Sequence, residues 1–430
     1  MRTPRGRPAM TRSAQGAPAP PVAAREKLLR RPRDGRALTV MTVAHGIQHF
    51  YVAGLALSYP FVVAQFHVSY AVLGVVLTIA GLVGGFLQGT AGLLRRLSAR
   101  AIVTAQDAGM AAASLLGGLA PGFGLFAAAR VLGSAVSWPQ HPVGSAYLSE
   151  RFPHRRATVL SWHTAGGSIG TVIAPLALSA VIAAAGWRTG LVVLGGALLV
   201  GAIFVRAALP AERRTTAAGG DATEVSAPPS ASLRQVLLRR RVIALLVAST
   251  VAAGGRGLGV LTTYIPAYLR SGLHLPTLTV GALFTAVVAA SVAGPVIGGM
   301  LADRFGRVRT LVITYVCGAA ALLGFGFAGS NTAMLAMLGI CVGVFAYTES
   351  PLLQAIFSDI TRDGSARSAF GAFFAISFGV GSLWTAAIGW IITAAGFPVA
   401  FAVMAGSFVA AAAVILALVR EQPPAPAAGQ

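Results

Sequence analysis

Apolar residues run along this chain in stretches long enough to cross a bilayer, and short polar segments separate them. A spanning helix needs about 20 apolar residues. Twelve runs meet that requirement, at roughly 38–66, 70–93, 101–120, 122–148, 157–185, 189–209, 241–269, 277–301, 309–329, 332–357, 368–395 and 398–419. The rhythm breaks most clearly at 210–240, where ERRTTAAGGDATEVSAPPSAS precedes RQVLLRRR. That segment reads as a cytoplasmic linker between a six-span unit at 38–209 and a second at 241–420. Residues 1–37, rich in Arg, Pro and Ala, read as a disordered cytoplasmic arm, and 421–430 as a tail. Arg30 and Arg31 precede the first run, but that run exceeds a signal-peptide core and no small-residue cleavage site closes it.

The two units repeat one another. An offset of 207 places Leu77-Thr78 on Phe284-Thr285, Gly92 on Gly299, Leu94 on Leu301 and Arg100 on Arg307. At 209, PVGSAYLSE (142–150) falls on PLLQAIFSD (351–359), and at 211 Gly170 falls on Gly381. Two repeated six-helix halves are an architecture of secondary transporters, with the binding site near the midplane between them.

Composition agrees with the pattern. The chain is 56% hydrophobic and 10% charged, with a mean hydropathy of +0.75, as expected for a polytopic all-α membrane protein. Its net charge of +21 would point to a nucleic-acid partner in a soluble protein. Topology explains it instead. With both termini in the cytoplasm, only Arg130, Arg188, Arg256 and Arg270 of the 33 basic residues fall on the outer face or in spans away from their cytoplasmic ends, the positive-inside pattern. The expected location is therefore the cytoplasmic membrane, with lipid as the surroundings and no nucleic-acid partner; a monomer is expected. Cys317 and Cys341 make neither a disulfide framework nor a metal spacing and read as packing residues.

The segment GPVIGGMLADRFGRVR (294–309) carries Gly299, Asp303, Arg304, Gly306 and Arg307 at the end of the eighth run. It resembles the signature of the major facilitator superfamily in the loops after helices 2 and 8. The resemblance implies two six-helix bundles and a conformational latch in which the acid meets the end of a neighbouring helix. The first half places Arg96 on Asp303 and Ala99 on Gly306, so the latch is expected to be asymmetric. AHGIQHFY (44–51), SYPFVVAQF (58–66), WPQHPVGSAYLSERF (138–152) and GGSIGTVIAP (166–175) resemble the fosmidomycin-resistance branch of that superfamily. His45 and His141-Pro142 match the branch; Gln48 and His49 stand where Asn-Asp is common, and Val143 where an acid often follows. Gly166, Gly170 and Ala174-Pro175 resemble part of the glycine-proline signature of antiporting relatives, which implies efflux, although small residues at that spacing also serve plain helix packing.

Ionisable groups within spans are costly, at least about 2.5 to 3.5 kcal/mol at the helix centre, and therefore mark function. His45 and His49 lie about 10 and 16 Å into the first helix at a rise of about 1.5 Å per residue. Helix 4 carries Arg130, Gln140 and His141, helix 7 carries Arg256, and helix 10 carries Tyr347 and Glu349. These four helices resemble the cavity-lining set of the superfamily. His45, Gln48, His49, Arg130, Gln140, His141, Arg256 and Tyr347 are thus the expected substrate-binding residues. Their basic balance favours a small organic anion, because a guanidinium grips carboxylate or phosphate with two parallel hydrogen bonds.

Alternatives stay open for several of these groups. Arg130 either lines the cavity, snorkels outward or pairs with Asp107. Glu349 carries protons or forms a static ion pair, and Asp107 is a second proton carrier or a structural partner. His163, beside Trp162, reads as interfacial at the start of helix 5. His45 and His49 share a helix face at i and i+4, but no carboxylate or thiolate neighbours them, and no metal or cofactor is expected. With no Walker loop and no nucleophile, metal or cofactor constellation, the expected function is secondary active transport rather than catalysis. Proton-coupled efflux by antiport is the first reading and uptake by proton symport the second; a solute sensor that does not transport is a reading from another class.

Overall fold

The computed structural model describes residues 32–88, 90, 94, 96–210, 233–361 and 372–419. The expectations for residues 1–31, for most of the linker, for the tail and for Gly92 lie outside them. Among the described residues the secondary structure is helical throughout.

Helices α1 (Asp34–Phe66) and α2 (Tyr70–Gln88) are each long and apolar enough to cross a membrane. They are followed by α3 (Ala99–Gly118) and by α4, which runs as Phe123–Ser137 and resumes after Trp138 and Pro139 as Gln140–Arg151. The helical stretch Arg156–Ala208 folds back at Gly186, giving α5 (156–185) and α6 (187–208). In the second half α7 (Arg240–Gly272), α8 (Thr277–Phe305), α9 (Arg307–Phe327) and α10 (Thr332–Ile360) follow in order. The last stretch, Ala372–Leu418, folds back at Gly396 into α11 (372–395) and α12 (397–418). Twelve helices among the described residues thus match the twelve apolar runs.

Their starts have local causes. Ser98 caps α3 by accepting a hydrogen bond from the Ala101 amide, and Asn331 caps α10 by accepting one from Met334. The first helix is already formed ahead of the expected residue 38, and Asp34 accepts a 2.7 Å bond from Arg151 of α4.

The repeat visible in the sequence is also a backbone repeat. His67 and His274, the two non-glycine residues with positive φ among those described (51° and 55°), end α1 and α7 and lie 207 positions apart. Gly186 and Gly396, with φ of 81° and 84°, turn α5 into α6 and α11 into α12 and lie 210 positions apart.

Within the first half α1 packs along α5. There is no room for a side chain where Gly170 meets the Gly46 carbonyl. The halves meet through α2 against α11 and α5 against α8. Thr78 Oγ1 donates to the Ser382 carbonyl at 2.9 Å and accepts from the Ala386 amide at 3.1 Å. The Tyr70 hydroxyl donates to Ser271 at 2.8 Å, and the Ala71 amide donates to Thr393 at 3.0 Å. These contacts hold the halves together from the middle of α2 to its Tyr70 end. Large apolar side chains such as Phe86, Val200, Phe327 and Leu416 stand exposed on the outside, a surface suited to hydrocarbon and not to water. Cys317 and Cys341 are free and half-buried.

Candidate functional site

Two buried polar groups of residues stand out, one in each half. In the second half, α7 is not a continuous helix. Arg256 has extended backbone (φ −67°, ψ 136°), and Gly259 (φ 114°, ψ −90°) has a conformation available essentially to glycine alone. The break frees backbone groups and brings the Arg256 side chain inward. Its Nε donates to Glu349 Oε1, one Nη to the Ser377 carbonyl at 3.0 Å, and the other to the Ser249 carbonyl and hydroxyl at 2.7 and 2.9 Å. Phe378 lies under the guanidinium, 4.9 Å from its carbon. Glu349 on α10 is fully buried and takes a second hydrogen bond from the Tyr315 hydroxyl of α9 at 3.2 Å. Ser377 belongs to a π-helical turn of α11, so irregular backbone flanks the ion pair on two sides. Tyr347 lies nearby on α10, packed on Gly257, with its hydroxyl 3.1 Å from Thr262.

Four of the five guanidinium N–H donors are therefore engaged. Of the readings open for Glu349, the structure captures the paired one in this state.

In the first half, His45 and His49 of α1, His141 of α4 and His163 of α5 come together. His45 stacks on His163 with centroids 4.2 Å apart and meets His49 and His141 edge-on at 4.6 and 5.0 Å. His163, expected at the interface, is instead 3% exposed. Its position seven residues into the helical stretch places it beneath α1, where packing rather than lipid headgroups surrounds it. Gln140, fully buried, donates its backbone N–H to Gln106 Oε1 at 2.7 Å and its side-chain amide to the Met41 carbonyl at 3.4 Å. Gln48 donates to the Ser137 carbonyl at the break in α4.

Arg130 donates to the Tyr59 hydroxyl at 2.9 Å and forms no ion pair with Asp107. Asp107 is fully buried; Gln106 donates to one of its oxygens at 3.3 Å, and the other has no partner. Residues that the sequence reading passed over are Tyr315, Gln106, Ser249 and Thr171. Only Gln106, beside an intramembrane acid, carried a usable signal.

At the α8–α9 junction, Gly306 (φ 96°) turns the chain between two helices in a single residue. Arg307 donates to the Ala355 carbonyl and to Asp359, tying α9 to the end of α10. Asp303 and Arg304 are exposed, Gly299 has open space beside it, and Arg96 is exposed too. Asp303→Asn is expected to slow transport about 10-fold, a change within the usual range of coupling energies, while Arg96→Ala leaves it nearly unchanged. Initial rates of labelled-solute flux measure both, and equal losses would refute an asymmetric latch.

Two apolar grooves lie away from these groups. The larger, about 390 Å³ and lined by residues such as Val43, Ile47, Ile169 and Ile173, faces outward between α1, α5 and α6. No polar side chains converge in it as a solute site requires.

The sequence model of the Major Facilitator Superfamily matches residues 41–287 and 257–430. The chain belongs to the Major Facilitator Superfamily. This superfamily member is thus a multi-pass membrane transporter of small molecules and not an enzyme. No curated protein matches it in sequence. It resembles the solved nucleoside transporter NupG with a TM-score of 0.76 at 12% identity, over 91% of this chain and 100% of that one. It also resembles a bacterial homologue of the human lysosomal transporter Spinster, solved inward-facing and occupied. There the TM-score is 0.72 at 16% identity, over 92% of this chain and 100% of that one. At such identities the likeness concerns the fold alone.

Proposed function

We propose that this superfamily member carries a small organic anion together with a proton by alternating access, with Arg256 and Glu349 as the coupled pair. The buried contact between these two side chains carries the reading. A carboxylate and a substrate anion compete for one guanidinium. Protonating Glu349 removes its claim on Arg256, and an anion bound to Arg256 leaves Glu349 without its cation and so favours its protonation. Each ligand strengthens binding of the other, which linkage requires to be reciprocal. Proton and anion then travel in the same direction, so the pair supports symport. Asp107, buried and without a cation, is a second place where a proton relieves the cost of burying charge.

Efflux by antiport rests on the partial glycine-proline signature. Gly166 and Gly170, however, pack directly on the Thr42 and Gly46 carbonyls, an ordinary reason for small residues there. The arginine-rich ends of the helices face the cytoplasm on the positive-inside rule. The contacts between halves at the Tyr70 end then close the outer side, which supports an inward-facing reading of this state.

Growth of a transporter-depleted host that expresses the chain tests the direction, with a panel of toxic organic anions that includes fosmidomycin. Symport predicts increased sensitivity that Glu349→Gln cancels. Resistance that Glu349→Gln cancels would establish efflux and overturn symport.

A further inference from the structure

The cluster of histidines in the first half has no role in the ion-pair mechanism, and its hydrogen bonding is unusual. His45 Nδ1 lies 2.7 Å from the His163 carbonyl. A carbonyl can only accept, so the proton is on Nδ1 and the lone pair is on Nε2. That Nε2 is buried and has no hydrogen-bond partner. His49 Nδ1 lies 3.1 Å from Thr171 Oγ1, and the Thr171 hydroxyl donates its own proton to the Gly167 carbonyl at 3.0 Å. Thr171 therefore accepts from His49 Nδ1–H, which leaves the second lone pair also on Nε2. His141 supplies a third imidazole from just beyond the break in α4. One ring nitrogen from each of the three lies within 4.8 Å of the others.

An arrangement of neutral imidazoles whose far nitrogens are fixed by a carbonyl and a hydroxyl matches what metal-binding histidines require. Without a cation, the buried lone pair of His45 is an uncompensated acceptor. The surroundings leave room for the rings: a Cβ on Gly167 would lie 2.9 Å from His45 and 3.0 Å from His49. His163, stacked parallel on His45, fixes the plane of that ring and supplies the carbonyl that orients it. The donor set contains no carboxylate, which disfavours magnesium and calcium, whereas imidazoles suit zinc, nickel, cobalt and copper.

We propose that His45, His49 and His141 form a binding site for one divalent transition-metal ion, with a fourth coordination position open. His45 and His49 ligate through Nε2. Tetrahedral coordination at about 2.05 Å sets donors about 3.3 Å apart, so the rings draw together on binding. His141, the most exposed of the three, has the freedom to close that distance. The open fourth position lies on its side and admits water or a carboxylate. At the sequence level His45 and His49 lacked a third ligand; the fold provides it from α4.

The test uses the full-length chain, purified in detergent with an affinity tag that contains no histidine, stripped with chelator and titrated with Co²⁺. The expected result is a visible d–d absorption band that saturates at one equivalent and is displaced by Zn²⁺ but not by Mg²⁺. His45→Gln, His49→Gln and His141→Gln each remove the band. Thr171→Val weakens binding about 10-fold, as loss of an outer-sphere partner does. A variant with His67, His154 and His274 all changed to Gln keeps full binding, because these exposed histidines lie outside the cluster. His141→Gln alters an exposed ring, so its folding is secure even if His45→Gln fails to fold. Absence of the band from the parent chain would overturn the proposal, as would a band that survives in His141→Gln or is lost only with the three exposed histidines.

Discussion

Glu349→Gln is expected to abolish uphill transport while leaving solute counterflow intact. The amide keeps the shape of the carboxyl group but neither ionises nor takes up a proton. Arg256 then remains available to an anion on every cycle, so exchange down a labelled gradient persists and the proton gradient no longer drives net movement. The substitution also leaves a guanidinium buried without its counter-charge. Removing one partner of a buried pair costs about 3 to 5 kcal/mol, softened here because Ser249 and Ser377 still accept three of its hydrogen bonds. A lower melting temperature should therefore accompany the lost coupling. Arg256→Gln should lose both counterflow and uphill transport, since the anion-binding group itself is gone. Combining it with Glu349→Gln should restore much of the stability without restoring transport. Uphill accumulation by Glu349→Gln at the parent rate would remove Glu349 from the mechanism.

Gly389→Ala is expected to open the face that is closed in this structure. Gly389 of α11 meets the Tyr70 carbonyl so closely that a methyl group has no place. The nearby Gly74 of α2 lies against the Thr385 carbonyl, where a Cβ would sit at 2.7 Å. Because this contact joins two halves that must separate during transport, crowding it shifts the conformational equilibrium rather than unfolding a bundle. A destabilisation of about 1 to 3 kcal/mol, typical of overpacking, changes a two-state population by about 5- to 150-fold. Labelling of a cysteine placed at Ser271 should become fast in Gly389→Ala, with transport largely lost. Gly170→Ala makes the contrast. The clash with Gly46 lies inside one bundle, between helices with no need to part, so the expected outcome there is poor folding without a change of accessible face.

Much of this architecture was legible in the sequence because a bilayer leaves few choices: among the described residues each apolar run of spanning length is mainly helical, with α4 and α7 broken inside theirs. The residues placed on helices 1, 4, 7 and 10 could be named for the same reason, since charge is rare at those depths. Which of them touch could not be read. The repeat set Gln140 on Glu349, yet only the break in α7 turns Arg256 toward that acid. Glycines at 254, 255, 257 and 259 permit such a break, but their presence alone does not specify one. His163 was misplaced because distance from a helix start says nothing about which face a neighbouring helix covers. Tyr315 was invisible because one tyrosine in an apolar helix looks like any other packing residue until its hydroxyl meets Glu349.

Coupling of an anion to a proton through the buried Arg256–Glu349 pair is measured by flux in proteoliposomes loaded at one pH and diluted into another, using an anionic solute identified by the growth panel. The expected result is accumulation toward the alkaline compartment, collapse of that accumulation by a protonophore, and its absence in Glu349→Gln despite normal counterflow. Accumulation toward the acidic compartment, or accumulation indifferent to both the protonophore and Glu349, would contradict it.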